Sequence, residues 1–76
     1  MEIAVFQYFK DGFYSFLFED GLQMEFEEIH PKALYKYNLN KDDSFVDKTF
    51  KLSYSEVPSS RDFDDVIYRI DRLELV

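Results

Sequence analysis

The chain contains no cysteine and no tryptophan, only two glycines, two prolines and a single histidine, and no uncharged run approaching a membrane span. Each shortage excludes something. Without cysteine there is no disulfide framework and no thiolate to act as nucleophile or metal ligand. A metal site needs several converging N, O or S donors, and no second histidine exists to join His30. A nucleophilic triad would need His30 to meet a loop serine, and none of Ser15, Ser53, Ser55, Ser59 or Ser60 lies in a Gly-x-Ser-x-Gly elbow. No catalytic residue, metal ligand or cofactor is therefore expected, and the chain does not read as an enzyme.

Positive charge is also scarce. Nine Lys+Arg stand against sixteen Asp+Glu, for a formal net charge of −7. The cations do not cluster, so nucleic-acid phosphates and anionic membrane surfaces are poor partners. The opening "MEIAVFQYFKDG" carries an acid at position 2 and lacks a basic, then apolar, leader pattern. The expectation is a cytoplasmic protein.

Aromatic residues are what the chain has in quantity: nine Phe and six Tyr among 76 residues. Seventy-six residues form one domain, 1–76, and a chain this short buries only about 60% of its unfolded surface. Rings bury a large area per residue at small entropic cost, so they suit a small core with no covalent staples.

Most of the sequence reads as strand. "EIAVFQYF" (2–9) ends at "KDG", "FYSFLF" (13–18) ends at "EDG", and "LQMEFEEI" (22–29) alternates Leu22, Met24 and Phe26 against Gln23, Glu25 and Glu27. Both glycines fall in Asp-Gly turns, where positive φ is needed, so these three strands form an antiparallel meander. "FVDKTFKLSYSEV" (45–57) places Phe50, Leu52 and Tyr54 on one face. In "VIYRIDRLELV" (66–76), Val66, Tyr68 and Ile70 share one parity but Leu73 and Leu75 take the other. One extra residue near Asp71–Arg72 reconciles them, which predicts a β-bulge there. "NKDDS" (40–44) and "PSSRDFDD" (58–65) read as loops. "DFDD" lacks the spacing, glycine and distal glutamate of a calcium loop.

"HPKALYKYNLN" (30–40) breaks the pattern. Pro31 suits a first helical position, and Ala33, Leu34 and Tyr37 form a stripe two turns long. "YNL" then reads as a left-handed C-cap at Asn38 with Leu39 folding back. So short a helix is unstable alone and must cover something apolar. His30 is read as its entry residue rather than a base or ligand.

Three meandering strands, a short helix and two more strands resemble the OB-fold, a five-stranded Greek-key barrel capped by a helix between its third and fourth strands. The resemblance runs from Glu2 to Val76 and implies a mainly β fold: a small five-stranded antiparallel barrel. Tyr68-x-Ile70-x-x-Leu73-Glu74-Leu75 also resembles the ending of certain small bacterial barrels. An SH3-like barrel is the alternative, though it usually lacks a helix at this point. The core expected is Val5, Leu17, Leu22, Met24, Phe26, Leu34, Phe50, Leu52, Tyr54, Tyr68, Ile70 and Leu73. On strand one, Ile3/Val5 and Ala4/Phe6 are equal candidates.

The resemblance implies no single activity, since such barrels host many. Both parities of strand two are apolar, so one set faces outward. The candidate binding residues are Tyr8, Phe13, Tyr14, Phe16 and Phe18. Their neighbours Glu19, Asp20, Glu25 and Glu27 are acidic, which favours a protein partner or a homo-oligomer over nucleic acid. The alternative is that the helix and long loops cover these rings within one chain. Two further readings stand beside it. One is single-stranded nucleic-acid binding by Tyr8, Tyr14, Phe16 and Phe18 with Lys48, Lys51 and Arg69. The other is a small-ligand or saccharide site between the helix and the loop 58–65.

Overall fold

The computed structural model describes residues 1–59 and 64–76. Its strands are β1 (Glu2–Lys10), β2 (Phe13–Phe18), β3 (Gln23–Phe26), β4 (Glu28–Ile29), β5 (Thr49–Pro58) and β6 (Val66–Leu75). Helix α1 spans Pro31–Tyr37, and one 3₁₀ turn covers Asp43–Phe45. The strands form one mixed sheet in the order β3-β2-β1-β5-β6-β4, in which only the β4–β6 pair is parallel. The fold is mainly β, but among the described residues it has six strands rather than five. The segment 22–29 bends at Glu27, because its first half pairs antiparallel with β2 and its second half pairs parallel with β6.

Turn chemistry sets the register. Asp11 and Gly12 both take positive φ, 54° and 85°, the combination of a two-residue primed turn, and Lys10 pairs directly with Phe13. At the next turn Gly21 has φ 87°. Its N–H donates to the Phe18 carbonyl at 2.9 Å, and the Phe18 N–H donates to the Leu22 carbonyl at 2.8 Å. That is a three-residue hairpin loop closed by glycine. Two bulges follow. β1 carries Gln7 as an unmatched residue between the pairs Phe6–Phe16 and Tyr8–Ser15. β6 carries Asp71 unmatched between Ser53–Arg72 and Tyr54–Ile70. The second lies where the phase change in the sequence places it.

Helix α1 and its caps match the sequence reading. His30 Nδ1 accepts from the Lys32 N–H at 3.2 Å, while its own N–H donates to the Ile70 carbonyl at 2.8 Å. His30 is thus an N-cap. Asn38 is left-handed, with φ 48° and its N–H on the Leu34 carbonyl at 2.7 Å, and Leu39 is buried. The helix buries Ala33 and Tyr37. The Tyr37 ring lies edge-on to Phe45 and Phe50, and its hydroxyl accepts from the Leu75 N–H at 2.9 Å. β5 begins at Thr49, later than the periodicity alone indicates. Asp47 turns left-handed at φ 68°, and residues 47 and 48 exchange hydrogen bonds with Phe6.

The core is a stack of rings. Phe6, Phe16, Phe26 and Phe50 are fully buried, with Phe16 lying 5.3 to 6.2 Å from the other three. Ala4 pairs with Phe18 on one side and Phe50 on the other, a small residue leaving room for two large ones. Among the expected core residues, Phe26, Phe50, Leu52, Ile70 and Leu73 are buried, and Met24, Leu34 and Tyr54 pack at the margin. Val5, Leu17, Leu22 and Tyr68 are not in the core. Val5 and Leu17 pair with each other on the outer face. Leu22 closes a turn and is 54% exposed. Tyr68, opposite Glu56 on the β5–β6 hairpin, touches Phe26 and Tyr54 with one edge of its ring and leaves the rest exposed.

Candidate functional site

The proposed aromatic site divides when placed on the sheet. Tyr14, Phe16 and Phe18 point inward and are buried core residues, so they cannot contact a partner. Tyr8 is 40% exposed and Phe13 is half-buried. The physical reason is the primed turn. Pairing Lys10 with Phe13 puts both on one face, and a lysine there marks that face as outward. The alternate residues of β2 must then fill the interior. The nucleic-acid reading loses three of its four rings by the same burial, and Arg69 Nε is engaged with Asp71 at 2.9 Å. Of the loop in the saccharide reading, residues 60–63 lie outside the described residues, and with them the first two residues of "DFDD".

What remains outside β1 and β2 is a different patch. Leu17, 39% exposed, has Val5 beside it on β1 and Gln23 beside it on β3. Ile3 continues the row and pairs with Lys51, while Val5 pairs with Thr49. Next to them lies a polar knot. The Ser15 hydroxyl donates to Gln7 Oε1 at 2.7 Å, and Gln23 Nε2 donates to Ser15 Oγ at 2.8 Å and to the Tyr8 hydroxyl at 3.4 Å. Ser15 is fully buried beneath these side chains although it belongs to the outer face. The bulge at Gln7 is what brings Gln7 and Tyr8 over it. The result is an uncharged surface on a chain of net charge −7, with Lys51 and Glu25 at opposite corners.

A second surface has no signature in the sequence. β3 stands at the end of the sheet order, and its free edge faces the distal half of the β5–β6 hairpin across a groove of about 730 Å³. Leu22, Gln23, Met24 and Glu25 line one bank; Tyr54, Ser55, Glu56 and Tyr68 line the other. The tyrosines meet edge-on at 6.1 Å, and both lean on Phe26. Burial, and then the carboxylate of Glu2 and the neighbouring Tyr68, hold the Tyr54 hydroxyl above its ordinary pKa. Its hydrogen bond to Glu56 does the same for Tyr68. The Tyr54 shift is first one of burial and the Tyr68 shift that of a phenol beside a carboxylate. Sequence periodicity could not reveal this groove, because it depends on how far the hairpin overhangs β3.

Among the described residues no group of three or more His, Cys, Asp and Glu could hold a metal ion, and no helix is long and apolar enough to cross a membrane. No known protein family, curated protein or solved structure matches this chain.

Proposed function

We propose that this chain is a non-catalytic protein-interaction module, an OB-like barrel that self-associates through the outer face of β1 and β2. The barrel reading rests on connectivity. β3 and β4 end the strand order on opposite sides, yet Glu27 alone separates them in the chain, so the two ends of the sheet are held together. The cytoplasm suits such an acidic module.

The observation that carries the functional reading is the charge-free cluster of Ile3, Val5 and Leu17 beside the Gln7–Ser15–Gln23 knot. Its hydrogen bonds fix the surface before any partner arrives, which lowers the entropic cost of association. Charges at the corners add complementarity. Lys51 and Glu25 lie diagonally opposite across the patch. A twofold axis along the other diagonal sets each Lys51 against the second copy's Glu25, with the two sheets crossing near a right angle. A weak interface of about 600 Å² per copy, below the standard size, matches a patch this small.

Light scattering across a concentration series tests this reading. The expected result is a dimer with a dissociation constant on the order of 10–100 μM, returned to monomer by Leu17→Glu with unchanged far-UV circular dichroism. A chain that stays monomeric at about 1 mM, or a dimer indifferent to Leu17→Glu, refutes it.

A further inference from the structure

The groove between β3 and the β5–β6 hairpin borders the proposed self-association face, with Gln23 and Glu25 on the shared rim, but its other bank, Tyr54 to Glu56 and Tyr68, lies outside that face and has chemistry of its own. We infer that it takes an extended, basic segment of a partner protein, added as a strand to the free edge of β3.

Three features of the groove specify that occupant. First, an edge strand presents unpaired backbone N–H and C=O groups, and a four-residue edge offers enough to fix the direction and register of an incoming strand. The groove runs along this edge, lined by four successive residues of the segment, Leu22 to Glu25. Second, the floor is aromatic. Tyr54 and Tyr68 stand edge-on and are supported from below by Phe26, while Leu22 and Met24 flank them. Side chains on one face of an added strand would rest on these groups. Methionine and tyrosine are residue types that accommodate varied apolar side chains. Third, the lining contains two carboxylates, Glu25 and Glu56, and no Lys, Arg or His. Glu2 and Asp20 extend the negative potential to Tyr54. An acidic strand would be repelled here, and a nucleic-acid backbone more so. Lysine or arginine at alternate positions would meet Glu25 and Glu56, and either cation could also lie against a tyrosine face.

The test is fluorescence anisotropy at low salt with a labelled octapeptide of alternating lysine and leucine. Three controls accompany it: the same peptide with glutamate for lysine, the same peptide with alternate backbone amides N-methylated, and a single-stranded oligonucleotide of similar length. The expected result is micromolar binding of the basic peptide. Binding should weaken about tenfold between ~50 and ~200 mM salt. The glutamate peptide should not bind, and N-methylation on the bonding edge should cost at least about tenfold. Glu25→Gln and Glu56→Gln should each weaken binding about threefold to fivefold. Both are exposed residues whose replacement leaves the fold intact by circular dichroism, and the glutamine at 56 can still accept from Tyr68. Leu17→Glu, on the other face, should leave peptide affinity unchanged. Four outcomes overturn the inference: no binding of the basic peptide at low salt, equal binding of the acidic peptide, indifference to N-methylation, or displacement of the peptide by the oligonucleotide.

Discussion

Replacing Phe16 and Leu17 by alanine, one at a time, tests the inside-out assignment of the sheet at two adjacent residues. Phe16 has no exposed surface and touches the rings of Phe6, Phe26 and Phe50, so it joins side chains from β1, β3 and β5. Truncating such a residue costs about 3–5 kcal/mol, with the upper part of that range favoured by the three lost ring pairs. Leu17 is already 39% exposed. Removing its side chain gives up roughly 1 kcal/mol of burial and leaves no enclosed cavity. A domain of 76 residues has a total stability of about 4–11 kcal/mol. Phe16→Ala therefore removes about a quarter of the margin at best and all of it at worst, whereas Leu17→Ala is tolerated. Urea titration followed by far-UV circular dichroism measures both. With a slope of about 1 kcal/mol per molar urea for so small a chain, the midpoints should fall by about 4 M and about 1 M. Tyrosine fluorescence is the second probe, since the chain has no tryptophan. Equal losses, or a larger loss from Leu17, would refute the assignment of Tyr14, Phe16 and Phe18 to the interior. The experiment belongs at low protein concentration, where self-association adds nothing to the apparent stability of the wild type.

Two further changes probe single contacts. Tyr37→Phe removes the acceptor of the Leu75 N–H and leaves that amide without its partner in a half-dry setting. Stability should fall by about 1–1.5 kcal/mol, and exchange of the Leu75 amide hydrogen should accelerate. Asp71, the bulged residue, accepts from the Ser55 hydroxyl and, at 2.9 Å, from Arg69 Nε, and these hydrogen bonds hold its carboxyl below the ordinary carboxylate range. A depressed folded-state pKa contributes stability that is present above the unfolded pKa of about 4 and is lost as pH falls through the lower folded value. Asp71→Asn should therefore lower stability by about 0.5–1 kcal/mol at neutral pH, with the gap to wild type closing under acid. A gap that persists undiminished at the acid end would show that the carboxylate's charge is not what matters.

Local rules made much of this fold readable. Pro31 at a first helical position, the apolar stripe Ala33–Leu34–Tyr37 and Asn38 at the left-handed cap placed the helix, because each is a backbone requirement met by a residue type. The phase change between Ile70 and Leu73 located the bulge at Asp71 for the same reason. Parity on β1 and β2 was harder, since Tyr14, Phe16 and Phe18 compete with Phe13 and Leu17 on hydrophobicity alone. The deciding signal was present in Lys10. A two-residue Asp-Gly turn pairs it with Phe13, and that pairing fixes the outward face of the whole strand. The bulge at Gln7 left no such mark, because glutamine is at home on either face and the gain lies in reaching a buried serine on another strand. The groove and the overhanging hairpin depend on strand lengths and curvature, which alternation does not encode.

The bond from Tyr37 to Leu75 spans 38 positions, and it has a consequence for the order of events in folding. Helix α1 comes mid-chain, but its hydroxyl latch closes only on backbone from the last strand. The meander of β1 to β3 can assemble from near neighbours, whereas the helix has to wait for β5 and β6 to come home. Long-range closures of this kind are slow. They also travel in reverse: when the end of β6 frays, the helix loses its anchor, and the two should open to exchange together as one cooperative unit.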